Sequence, residues 1–168
     1  NPVAALNVIE CKNIISTNGP KAVDLGSQTS SINDIFVKNL VDNNKTINSI
    51  QKKNLINLSS SQSFTTEDYF KSVGFKEYNS IDINGAYNSL RFDLNKNILE
   101  TYNYNHKYDL VINNGTGEHV FNQYALFLNF HNLTKLNGVM LNILPFIDWI
   151  NHGFYNFNPI FFADLAAS

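Results

Sequence analysis

At 168 residues the chain has the length of one domain with room for a sizeable core. Twelve basic residues against 14 acidic ones leave no electrostatic footprint for nucleic acid or an anionic membrane. The single cysteine, Cys11, excludes an internal disulfide and points to a reducing, cytoplasmic setting, while no apolar run reaches the roughly 18 residues of a membrane span and no signal-peptide pattern opens the chain.

Taken in order, Asn1 can cap a helix with Pro2 at its first position and a sparse apolar face of Leu6, Ile9 and Ile14. Asn18-Gly19-Pro20 breaks it, and Ala22 to Leu25 predicts a strand. The stretch Asp24-Leu25-Gly26-Ser27-Gln28-Thr29 then predicts a tight turn from strand into helix. Such a turn leaves unpaired N–H groups at a helix N-terminus and admits a ligand close to the backbone at Gly26. A carboxylate at Asp24 suits a ligand with a cationic amino acid end better than a pyrophosphate. Taken alone, an ordinary strand-to-loop turn has the same pattern; the order of the later strand ends sets this one apart. Ser31 to Leu40 carries Ile32, Ile35, Phe36 and Leu40 at helical spacing.

Residues 41–78 read as an insertion between that helix and the second strand, polar up to Ser63, with a surface loop at Ser59 to Ser63. That loop is either a lid over the ligand or a connection without a role. Thr65-Thr66-Glu67-Asp68 is a helix start with an acid three residues beyond a Thr cap, Tyr69, Phe70 and Val73 face inward, and Gly74 ends the helix. Tyr78 to Gly85 holds the second strand, with Asp82 near its C-terminal end, and Leu90 to Asp93 a short third one. Tyr108 to Ile112 is the fourth, leaving into Asn113-Asn114-Gly115-Thr116-Gly117. Glu118 opens a helix carrying Val120, Phe121, Tyr124, Phe127, Phe130 and Leu133, and Asn137-Gly138 turns it into a fifth strand, Val139 to Leu144. An aromatic, Asn-rich tail runs on from Phe146, with a last helix from Pro159. The chain begins without Met and stops at Ser168 inside that helical pattern, so it reads as a piece of a longer protein.

Strands alternating with helices imply an α/β Rossmann-like three-layer sandwich, its sheet mainly parallel, with ligands bound beyond the C-terminal strand ends. Asp24, Asp82, Asp93 and Gly115 all fall at such ends. In this ordered set the chain resembles the class I S-adenosylmethionine-dependent methyltransferases. The resemblance is carried by Val23-Asp24-Leu25-Gly26-Ser27-Gln28, Ser80-Ile81-Asp82-Ile83, Phe92-Asp93-Leu94, Tyr108-Asp109-Leu110-Val111 and Gly117-Glu118-His119-Val120. It implies strand order 3-2-1-4-5, a single partial domain over 1–168 whose C-terminal strands are missing, and a fifth strand left as an edge that a second copy or the rest of the protein would cover.

The resemblance also implies S-adenosyl-L-methionine as the cofactor. Asp82 and Ile83 would meet the ribose, Asp93 and Leu94 the adenine. Asp24, Gly26, Ser27 and Gln28 would lie around the methionine part, with Asn113, Asn114 and Gly115 near the reacting methyl. Gln28 stands where the family usually has a second Gly. The acceptor is a small molecule or sugar hydroxyl or amine, with His119 and His152 as candidate bases and Trp149 and Tyr155 as candidate substrate contacts; His106 and His131 read as surface or packing residues. Glu118-His119 also resembles a metal-binding pair of some methyltransferases, but Gly115 stands where a further acid would be needed, so no metal is expected. Two other readings share these residues: a non-catalytic nucleoside-binding or interaction module derived from a methyltransferase, and a nicotinamide-dependent oxidoreductase, which lacks the spaced glycines.

Overall fold

The computed structural model describes residues 2–27, 34–60 and 64–167; Asn1, Gln28 and Ile32 therefore lie outside the described residues. Strands β1 (Lys21–Leu25), β2 (Glu77–Ile81), β3 (Tyr108–Asn114) and β4 (Thr134–Ile143) form one sheet in the order β2-β1-β3-β4, and every pairing is parallel. Leu25 lies opposite Ile81 and Asp24 opposite Ile112, so the C-terminal ends of the three inner-site strands share one rim. This α/β arrangement is Rossmann-like, but its order corrects the five-stranded one expected. Leu90 donates its N–H to the Ser80 carbonyl (2.8 Å) and accepts from the Asp82 N–H (3.0 Å), forming one isolated parallel bridge to Ile81. The Phe92 N–H then turns back onto the Leu90 carbonyl (2.9 Å), so the segment bends away before a strand can develop.

Side-chain alternation along the strands sends each face into its own core. On one side Ala22, Leu110 and Ile112 pack against Val8 and Ile9 of α1 (Pro2–Ile14), Val37, Leu40 and Val41 of α2 (Asp34–Asn43), Leu55 of α3 (Ser49–Ser59) and Phe70 and Val73 of α4 (Thr66–Val73). On the other, Val23, Leu25, Ile81 and Val111 pack against Ile98 of α5 (Ile98–Tyr102) and Leu126, Phe130 and Leu133 of α6 (Gln123–Leu133). Ile14 and Ile35, expected on apolar faces, are exposed instead. The insertion is helical: Asn48 caps α3 with a reciprocal capping box to Gln51, and Leu55 is fully buried. Helix α4 starts on the Thr65–Asp68 box and stops at the left-handed Gly74, as its sequence predicts.

Two further boundaries differ from expectation. Glu118 belongs to a single 3₁₀ turn, Gly117–His119, and α6 begins only after Asn122, whose side chain accepts from the Ala125 N–H (3.1 Å). This leaves Phe121 and Tyr124 exposed. Strand β4 already pairs at Thr134 and absorbs Asn137-Gly138 as a bulge between the Tyr108 and Leu110 pairings, with Asn137 at φ +62°. Among the described strands it pairs with β3 alone, on the sheet's edge. Helix α7 (Pro159–Ala167) closes the described chain, resting Phe161 on Phe127 (centroids 5.0 Å apart).

Candidate functional site

The β1 turn is built on Gly26. Its φ of +114° is a left-handed value that side chains rarely adopt, and a Cβ there would lie 2.1 Å from Thr116 Oγ1. Its N–H donates to the Ile81 carbonyl (2.8 Å), so the turns after β1, β2 and β3 touch at this one residue. Asp82 ties the turns after β1 and β2 through its carboxylate. Oδ2 accepts from the Ser27 N–H (3.1 Å) and hydroxyl (2.9 Å), and Oδ1 from the Asn84 N–H (3.1 Å). Burial pushes this carboxyl upward, but the bonds from Asn84 and Ser27 outweigh it and hold Asp82 below the usual carboxylate range. Asp93 is also held low, by the Asn95 side chain and N–H on Oδ1 (3.0 and 2.9 Å).

These turns enclose a cavity of about 340 Å³ whose walls include Gly26, Ser27, Asp82, Ile83, Asp93, Leu94, Gly115 and His119. Eight residues singled out from separate parts of the sequence thus meet around one space at the C-terminal rim. Ile81, Phe92, Asn95, Thr116 and Val120 complete it. Of these, Thr116 had a readable signal, standing between Gly115 and Gly117 in the loop that leaves β3.

Other expected site residues stand elsewhere. Asp24 is buried at the end of β1, in line with Ala22 on the α1–α4 face, and does not line this cavity. Its Oδ1 has no hydrogen-bond partner among the described residues, and burial drives its carboxyl well above the usual range. Asn113 is buried as a brace: Oδ1 accepts from the Gly117 N–H (2.9 Å) and Nδ2 donates to Asn142 Oδ1 (3.1 Å). Asn114 ends β3 beside it, off the cavity wall. Gln28 lies outside the described residues. Asp109 sits at the opposite rim, where burial pushes its carboxyl up but Lys135 Nζ (2.8 Å) and the Lys21 N–H (2.8 Å) hold it low; it locks the strand starts together.

The tail folds back onto the Gly117–His119 turn. The Phe154 N–H donates to the Glu118 carbonyl (2.7 Å), and Gly153 passes so close that a Cβ would lie 2.7 Å from Glu118 Cγ. This docking brings His152 Nε2 within 3.3 Å of Glu118 Oε1 and sets its ring edge-on to His119, centroids 4.8 Å apart. Trp149 packs against His152 (4.5 Å) and stays half-exposed, whereas the Tyr155 hydroxyl is spent on the Phe121 carbonyl (2.9 Å). The two candidate bases are therefore neighbours, His119 on the cavity wall and His152 beside it, although 33 positions separate them in sequence.

Two larger hollows lack this set. One of about 760 Å³ lies along β2 between Phe64 and Asn88, and an apolar one of about 990 Å³ lies between α6, β4 and α7. The cavity at the strand ends is the one lined together by Gly26, Asp82, Asp93, Gly115 and His119. Among the described residues no helix is long and apolar enough to cross a membrane. No protein-family model, curated protein or solved structure matches the chain.

Proposed function

We propose that the chain transfers a methyl group from S-adenosyl-L-methionine to a small-molecule or sugar hydroxyl or amine. One observation carries this reading: the Gly26 turn, Asp82, Asp93-Leu94 and Gly115 line a single cavity at the C-terminal rim of a parallel sheet, in the order of a methyltransferase's motifs. When bound, the cofactor supplies a methyl already activated on a sulfonium, so the protein's main task is alignment, an effect of about 7–11 kcal/mol.

The residues present fit such a ligand. Gly26 leaves no Cβ between the backbone and the cavity, whereas Asp24, off the cavity wall, is not placed to meet the ammonium. Asp82 would accept from the ribose hydroxyls and Asp93 from the adenine amine. Asp82 already uses three acceptor positions, two of them on Ser27. A carboxylate offers about four, so the Ser27 hydroxyl has to rotate away for two ribose bonds to form. In this reading His119, on the cavity wall, and His152 beside it are the candidate bases; a general base contributes about 10²–10⁴-fold when the acceptor is a hydroxyl.

The crowded Asp82 carboxylate also favours a second reading, a nucleoside-binding or interaction module without turnover. Calorimetric titration of the chain with S-adenosylhomocysteine and with NAD separates the readings. Methyl transfer expects micromolar binding of the first only, abolished in Asp82→Ala with the circular-dichroism spectrum unchanged. Binding of NAD alone contradicts it, and binding of neither leaves the interaction module.

A further inference from the structure

The Glu118, His119 and His152 side chains form a cluster that the adenosyl cavity does not account for. Glu118 is 1% exposed, yet it is placed under two half-exposed imidazoles. Its Oε1 lies 3.3 Å from His152 Nε2 and 3.9 Å from His119 Nε2, and one donor atom from each residue falls within 4.8 Å of the others. Its second oxygen, Oε2, is buried with no hydrogen-bond partner among the described residues. A carboxylate withdrawn from water with one oxygen unmatched is costly unless positive charge faces it. A Glu118–His152 pair alone would explain neither the second imidazole directed at the same oxygen nor the bare Oε2.

We propose that Glu118, His119 and His152 bind a divalent first-row transition-metal ion. Bonds of roughly 2.0–2.2 Å at tetrahedral or octahedral angles set neighbouring ligand atoms about 3.0–3.5 Å apart. The 3.3 Å separation is within that span, and rotation of the exposed His119 ring has to close both the 3.9 Å one and the gap of up to 4.8 Å between the two imidazoles. Two imidazole nitrogens and one carboxylate oxygen select zinc and its borderline neighbours over magnesium or calcium, which prefer all-oxygen shells. The third ligand does not come from position 115, where the sequence has Gly; the tail delivers it as His152, held by the Phe154–Glu118 bond and the close pass of Gly153. Three protein ligands leave a coordination position open, as in catalytic rather than structural sites. His119 also lines the adenosyl cavity, so that position opens toward it. Presentation of an acceptor hydroxyl there rests on the methyl-transfer reading, whereas the binding of the ion does not.

The test is calorimetry on the untagged, chelator-treated full chain, titrated with zinc chloride, with magnesium chloride for comparison. Zinc is expected to bind once per chain at micromolar strength or tighter, and magnesium at least 100-fold more weakly. His119→Ala and His152→Ala, both at half-exposed positions where folding tolerates change, should each weaken zinc at least 10-fold, and the double variant should remove it. His131→Ala should leave it unchanged. Absence of a stoichiometric zinc site, or one that survives the double variant, overturns the proposal. Titration of the same samples with S-adenosylhomocysteine keeps the two ideas apart: its binding without zinc defeats only the metal site, and zinc binding without it defeats only the cofactor reading.

Discussion

Asp24 and Asp82 stand near one rim of the sheet and titrate in opposite directions. Burial lifts Asp24, whose Oδ1 has no hydrogen-bond partner among the described residues, so its contribution to stability is complete only below the unfolded value near 3.9 and is lost as pH rises through its folded value. Asp82 is the reverse: burial is outweighed by Asn84 and Ser27, and the stability it adds is present above the unfolded value and lost as pH falls through its lower folded value. Replacing Asp24 with an uncharged isostere removes the cost of a buried anion at neutral pH. Asp24→Asn is therefore expected to gain about 1–3 kcal/mol at pH 7.5, raising Tm by about 2–8 °C, with the gain shrinking as pH is lowered toward 4. Thermal melts across that range check it; a loss of stability at pH 7.5 contradicts it.

Among the elements, those whose signal is local were legible. The Thr65–Asp68 box, the left-handed Gly74 stop and the Pro159 start each depend on a few adjacent residues, and each stands where the sequence puts it. Helix α3 was hidden because its inward face is Gln51, Leu55 and the partly buried Leu58, one of the three polar, while Ile50 and Ile56 are exposed, so the apolar residues do not mark a single face in its Lys and Asn background. Leu90–Phe92 misled in the other direction, being apolar and short like a strand but turned back on itself at Leu90. The candidate site divides the same way. Strand ends could be read from Asp82, Asp93 and Gly115, whereas the meeting of His152 with Glu118 depends on the path of the tail, for which Gly153 is the sole trace in the sequence. If α3 is a core element rather than a mobile cover, Leu55→Ala costs about 2–5 kcal/mol in chemical denaturation, while Ile56→Ala stays within about 0.5 kcal/mol. Equal, small effects from both would return the insertion to the status of a loop.

For the molecule as a whole, the sheet separates two tasks. Its N-terminal rim is locked by the Asp109, Lys135 and Lys21 contacts, and at its C-terminal rim the turns after β1 and β2 meet through Gly26 and the Asp82 carboxylate. The apolar hollow between α6, β4 and α7 lies on a further side, against the unpaired edge of β4. A ligand of the proposed kind must therefore engage three loops distant in sequence at once, and leave that hollow and the locked rim untouched. Backbone hydrogen exchange with and without S-adenosylhomocysteine reads this directly. Joint protection is expected at Gly26–Ser27, Asp82–Ile83 and Asp93–Asn95, with no change in β4 or α7; protection confined to α6, β4 and α7, or none at saturating ligand, would contradict a single adenosyl site at the strand ends.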